Sequence, residues 1–138
     1  MPYPIQWILS LIFNIQMYVA LFVIFGAYAP FAAYDRKYAY KGVKVYCNWV
    51  RVSARWIVGL KSEVRGDIPS GQILVASKHQ SVFDVVMLAS VLPEPKYIMK
   101  SSLRFVPLLG FYAKCLNCVS VKRGKRGAAI KKLSLIHI

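Results

Sequence analysis

The stretch ILVASKHQSVFDVVMLASVLPEP, residues 73–95, decides the fold. Its first five residues are an apolar run with β-branched members, which predicts a buried strand over 73–77. Ser81 and Asp84 follow in the S-x-x-D order that opens a helix, each side chain accepting from a backbone donor near the other. An apolar run comes next and Pro93-Glu94-Pro95 stops it, so a helix is predicted over 82–92. Between strand and helix lies Lys78-His79-Gln80-Ser81-Val82-Phe83-Asp84. His79 stands just past the strand, and Asp84 is the third helical residue. A carboxylate there can turn back toward the loop that carries His79. By accepting the imidazole Nδ1–H it fixes the tautomer, leaves Nε2 to take a proton and stabilises the imidazolium that forms. Such a pair is a base with its orienter and no protein nucleophile, which suits activation of a substrate hydroxyl. Spacing alone equally describes a surface histidine beside a helix-capping aspartate, and capping is the expected role of Ser81. Backbone N–H groups at the helix start are candidates to hold an oxyanion.

Downstream, a strand is expected over 96–99. Residues 101–115 have helical composition broken by Pro107 and Gly110. A third strand is expected over 118–121, and another helix begins over 127–133. Strands alternating with helices predict an α/β class, a sheet layered with helices. From Lys96 to Lys132 there are ten Lys and Arg and no acid. Cys115-x-x-Cys118 has neither a second pair nor a histidine partner, so no metal site is expected and packing is its role.

Upstream, composition shifts at Lys61-Ser62-Glu63, and residues 65–71 carry turn chemistry. Residues 36–58 read as a helix with two stripes. Lys37, Lys41, Lys44, Asn48, Arg51 and Arg55 form one; Val43, Tyr46, Cys47, Val50, Ala54 and Ile57 form the other, with Trp49 and Trp56 beside it. That pattern fits a helix in the lipid headgroup layer and also a solvated face on a helix packed against the domain. The tyrosines and Trp49 near these cations belong to the same face, which favours lipid over nucleic acid. No charged side chain occurs from Met1 to Tyr34. The apolar core of that segment, 5–29, would cover ~37 Å as a helix, enough for a hydrocarbon layer of ~30 Å. It is too long, and its first residues too poor in charge, for a cleaved signal. Gln6, Ser10 and Asn14 share one face, predicted to pack on a second helix. Arg36, Lys37, Lys41 and Lys44 directly after the anchor place the body of the protein on the cytoplasmic side, the inner membrane if the source is bacterial. Free cysteines fit that reducing compartment.

The composition agrees. In 138 residues, 57% are hydrophobic and 17% charged, which excludes a disordered chain. Three cysteines exclude a fully paired disulfide scaffold. A net charge of +14 calls for an anionic partner, and with so apolar a chain the first candidate is a membrane surface.

The segment KHQSVFD, 78–84, resembles the first motif, H-x4-D, of the glycerolipid acyltransferases, in particular those that acylate 1-acylglycerol 3-phosphate. Lys100, Leu103, Pro107 and Gly110 are similar to the family's K-x-x-L-x-x-x-P-x-x-G stretch. Val119 to Gly124 falls where its second, arginine-ending motif is expected. Lys78 replaces the common Asn, Ser120 a frequent aromatic residue and Lys122 a frequent Asp. The third, E-G-T-R-like motif and the fourth are expected beyond residue 138, so the sequence reads as an N-terminal portion. The resemblance implies transfer of a fatty acyl group from acyl-CoA or acyl-carrier protein to the free hydroxyl of lysophosphatidic acid, giving phosphatidic acid, with no cofactor and no metal. It implies His79 as base and Asp84 as its orienter, Arg123 on the acceptor phosphate, and Lys100, Lys122 and Arg126 as candidate contacts to substrate or anionic lipid. The resulting organisation is a membrane-anchor helix at 1–34, a basic amphipathic interfacial helix at 35–60, a partial acyltransferase domain at 61–132, and a tail at 133–138 that reads as foreign to the rest. A related enzyme with another lysolipid or glycerol 3-phosphate as acceptor, and a non-catalytic basic membrane-surface protein, are the alternatives.

Overall fold

The computed structural model describes residues 3–68, 71, 73–78 and 80–121. It opens with α1, Tyr3–Tyr34, a 32-residue helix long and apolar enough to cross a membrane. Almost none of its most apolar stretch is buried. Ser10 Oγ donates to the Gln6 carbonyl (2.8 Å) and Asn14 Nδ2 to the Ser10 carbonyl (2.9 Å). Two of the three polar residues assigned to a helix–helix contact, Ser10 and Asn14, thus bond their side chains along their own helix, the usual solution for short polar side chains in an apolar rod. One link to the next helix is Gln16. Its Nε2 donates to Ser53 Oγ and its Oε1 accepts from Trp49 Nε1, both at 2.9 Å.

Helix α2, Arg36–Ser53, is started by Asp35, whose Oδ1 accepts from the Lys37 N–H at 2.9 Å. A π-helical turn, Ala54–Val58, extends it to Gly59, which is left-handed at φ 73°. α2 lies antiparallel on α1. At Gly42 the two approach so closely that an added Cβ would stand 3.0 Å from Tyr28 Cβ. The apolar stripe of α2 is buried or half-buried, against α1 on one flank and α3 on the other, while Trp49 and Trp56 remain exposed.

Helix α3, Val82–Val91, matches its predicted span. The apolar run before it does not become a strand. Residues 73–77 form no ladder, and Ile73, Leu74 and Val75 are exposed. Pairing is a tertiary event, and the one sheet among the described residues joins two other segments. These are β1, Ile98–Lys100, and β2, Val119–Val121, parallel with Met99 opposite Ser120. β2 lies within the stretch expected to be a strand, and β1 overlaps the other but runs one residue past its expected end at 99. Parallel pairing requires a crossover. It consists of a 3-10 turn, Ser101–Phe105, and helix α4, Leu109–Cys115, with the predicted break between them. The chain is mixed α/β and mostly helical. The helix expected over 127–133 lies outside the described residues.

Two core clusters meet along α2. Phe25, Ala32, Ala39, Tyr112 and Leu116 form one; Cys47, Val50, Val86 and Ala89 form the other. Tyr112 of α4 is 1% exposed, stacks on Phe25 with ring centroids 4.1 Å apart, and donates its hydroxyl to the Phe25 carbonyl at 3.0 Å. A buried phenol needs such an acceptor, since an unmet donor is costly there. The contact fixes the module to the apolar helix.

Candidate functional site

The start of α3 is built from backbone donors and two short side chains. Ser81 is extended and its Oγ accepts from the Phe83 N–H at 3.2 Å. Asp84 turns back, as its position requires, and one oxygen, Oδ2, accepts from both the Gln80 and the Ser81 N–H at 2.7 Å. Charge-assisted bonds this short are strong, and a carboxylate at a helix N-terminus also meets the positive end of the helix dipole. The carboxylate is therefore fixed on the backbone of the residue directly after His79. His79 itself lies outside the described residues, as do Lys122, Arg123 and Arg126.

The same bonds answer the oxyanion expectation. The Gln80 and Ser81 N–H groups are committed to Asp84 and that of Phe83 to Ser81, so these three do not point free into a site. Lys100, the remaining predicted contact, ends β1 and is exposed, with Val121 as its register partner.

Tyr97 was not singled out from sequence. Its hydroxyl reaches the Val85 carbonyl of α3 at 3.4 Å, and its own carbonyl accepts from the Val119 N–H at 2.8 Å. It thereby ties the helix carrying Asp84 to both strands. Burial pushes its phenol up, so it acts as a neutral donor. An aromatic residue just before a strand gives no signal of this role, because the partners come from distant segments.

The cysteines behave as packing residues. Cys47, Cys115 and Cys118 are free. Burial pushes the Cys47 thiol up to about 12. Burial also raises that of Cys118, against the opposing effect of a backbone hydrogen bond with Tyr97. Among the described residues no group of three or more His, Cys, Asp and Glu is placed to hold a metal. One ion pair is present among them, Glu63 with Arg65 at 3.0 Å, and it is exposed. The positive field is thus left largely unneutralised.

Comparison with known proteins bears on this site. A family model described as Acyltransferase matches residues 61–137. The 1-acyl-sn-glycerol-3-phosphate acyltransferase of Pseudomonas aeruginosa is 28% identical over 111 residues, which cover 77% of this chain and 42% of that relative. The chain thus spans less than half the length of the curated relative it matches. No solved structure matches.

Proposed function

This chain belongs to the acyltransferase family, and on that premise we propose that the protein moves a fatty acyl group from a thioester donor, acyl-CoA or acyl-carrier protein, to the free hydroxyl of 1-acylglycerol 3-phosphate. The observation that carries the reading is the Asp84 carboxylate anchored on the backbone of Gln80 and Ser81, the residues that follow His79 in sequence. In the proposed step His79 Nε2 takes the hydroxyl proton as the oxygen attacks the thioester carbonyl. The C–S bond breaks, the new ester forms, and the proton passes to the leaving sulfur. Asp84 orients the imidazole and stabilises its charged form. No covalent acyl-enzyme is required, in keeping with thiols that burial holds protonated.

Arg123 is assigned to the acceptor phosphate, where a guanidinium gives bidentate contacts. Lys100, Lys122 and Arg126 are assigned to the surrounding anionic groups. An acceptor with a fatty acyl chain is reached most directly from a membrane, and α1 supports that location; the basic residues after α1 favour the cytoplasmic face. The test is purified full-length protein in mixed micelles with lysophosphatidic acid and acyl-CoA. His79→Ala is expected to abolish phosphatidic acid formation, and unchanged turnover would refute the reading. Profiling glycerol 3-phosphate and other lysolipids against lysophosphatidic acid fixes the acceptor.

A further inference from the structure

The turn between β1 and α4 carries an aromatic side chain that the described residues leave uncovered. Phe105 is 87% exposed, and Val106 beside it is exposed as well. The turn is not loose. The Val106 N–H donates to Leu103 O at 3.3 Å, and the Gly110 N–H to Val106 O at 2.9 Å. The Leu109 N–H donates to Pro107 O at 2.6 Å, closing a γ-turn around Leu108 at φ 60°. The Arg104 carbonyl packs where a Cβ on Gly110 would stand. Phe105 is therefore held outward by a constrained backbone.

The charge around it has one sign. Lys100 and Arg104 flank the turn, and no acid occurs from Lys96 onward. Against Arg104 lies a cavity of about 400 Å³. Arg104, Lys114, Asn117 and Ser120 supply polar groups to its wall, Met99 and Cys118 apolar ones, and no described carboxylate lines it. Neither the Arg104 nor the Lys114 side chain has a hydrogen-bond or ion-pair partner among the described residues. Two unneutralised cations at a cavity recognise a phosphate-type anion. A soluble anion would leave Phe105 in water, whereas a phospholipid in a bilayer engages both features. The adjoining helix α4 is fixed to apolar α1 through Tyr112 and Phe25, which makes the turn part of the same body as the membrane helix.

We propose that residues 101–106 form a second lipid contact, in which Phe105 and Val106 enter the edge of the acyl layer while the phosphate of an anionic phospholipid sits in the cavity between Arg104 and Lys114. The cations and the aromatic residue then divide the work as at other interfacial surfaces. The proposal rests on α1 as a membrane helix and not on acyl transfer, so it stands or falls apart from the His79 experiment.

The test places the photoreactive residue p-benzoylphenylalanine at position 105 of the full chain, in vesicles of phosphatidylcholine and phosphatidylglycerol in equal parts. Irradiation and mass spectrometry then identify the adducts. Lipid adducts are expected at 105 and none at the exposed position Glu94, labelled in the same way. Arg104→Ala and Lys114→Ala are each expected to lower the phosphatidylglycerol share of the adducts about fivefold. Inorganic phosphate at matched ionic strength should leave them unchanged. Yields at 105 no higher than at 94, adducts to protein or nucleic acid in place of lipid, a phosphatidylglycerol share indifferent to both substitutions, or displacement by phosphate would each overturn the assignment.

Discussion

Helices α3 and α4 both begin after irregular chain in the same module, yet opposite means hold their starts. At α3 the orphan backbone donors are met by side chains: Ser81 Oγ takes Phe83, and Asp84 takes Gln80 and Ser81. At α4 there is no side-chain cap. A γ-turn at Leu108 and the close approach of Gly110 to the Arg104 carbonyl set the direction of the helix. Polar capping leaves a charged group aimed into the loop before α3, and steric fitting leaves none before α4. The first arrangement fixes a carboxylate against the chain before its helix; the second holds a turn in place.

Substituting Asp84 should break this contrast most severely. Asp84→Ala removes both loop bonds and the partner assigned to His79. Acyl transfer should fall on the order of 10²–10⁴-fold, with a loss of about 2 kcal/mol in stability. Asp84→Asn sharpens the point, since it keeps an acceptor oxygen but no charge. It should retain most of the thermal midpoint and still lose turnover. Steady-state kinetics beside thermal melts in detergent separate the two effects. A fully active Asp84→Ala protein would reduce Asp84 to a cap.

Gly110→Ala is the corresponding break at α4. The new methyl meets a backbone carbonyl, which cannot swing aside, so about 1–3 kcal/mol of stability should be lost. Gly26→Ala in α1 is the control. Its Cβ would meet open space, and gains of ~0.5–1 kcal/mol are typical when Gly becomes Ala inside a helix. Opposite shifts in the two melts are expected. Equal shifts would mean that the turn before α4 yields at no cost.

These contrasts also mark how far the sequence could be read. The S-x-x-D order announces the α3 start because capping is local, involving residues at most four apart. α1 is legible for a different reason, the absence of any charge over its length. Pro107 and Gly110 show where the crossover breaks. They do not show that Gly110 faces the carbonyl of Arg104, a contact made only once the turn has closed. Residues 73–77 have the composition of a strand, but a strand requires a partner, and composition names none. In α1, helical spacing marked Gln6, Ser10 and Asn14, whereas among the described residues the α1 side chain that bonds to α2 is that of Gln16, whose partners Trp49 and Ser53 lie over thirty residues away. For the candidate site the turning back of Asp84 was legible, and Tyr97 was not.

Ser81→Ala should cost less than Asp84→Ala, about 1 kcal/mol, because it frees one donor and leaves both Asp84 bonds in place. Native-state hydrogen exchange at the first turn of α3 measures it directly. Faster exchange confined to that turn, with turnover little changed, is the expected pattern. A loss of turnover as large as that of Asp84→Ala would give the hydroxyl a role beyond capping.

The smallest effect is expected at the other end of α4. Asn117 is left-handed at φ 54°; its N–H donates to Lys114 O and that of Cys118 to Ala113 O, at 3.1 and 2.8 Å. Those two bonds form the common glycine-ended helix terminus, here with asparagine in the glycine position. Asn117→Gly removes the strain of a Cβ in this conformation but increases the freedom of the unfolded chain. The difference should leave a gain of ~0.5 kcal/mol, a rise of ~2 °C in the thermal midpoint for a chain of this size. Asn117 also lines the cavity between Arg104 and Lys114. A fall in the midpoint would therefore locate a stabilising contact of the asparagine amide there and show that the end of α4, like the start of α3, is held by a polar side chain.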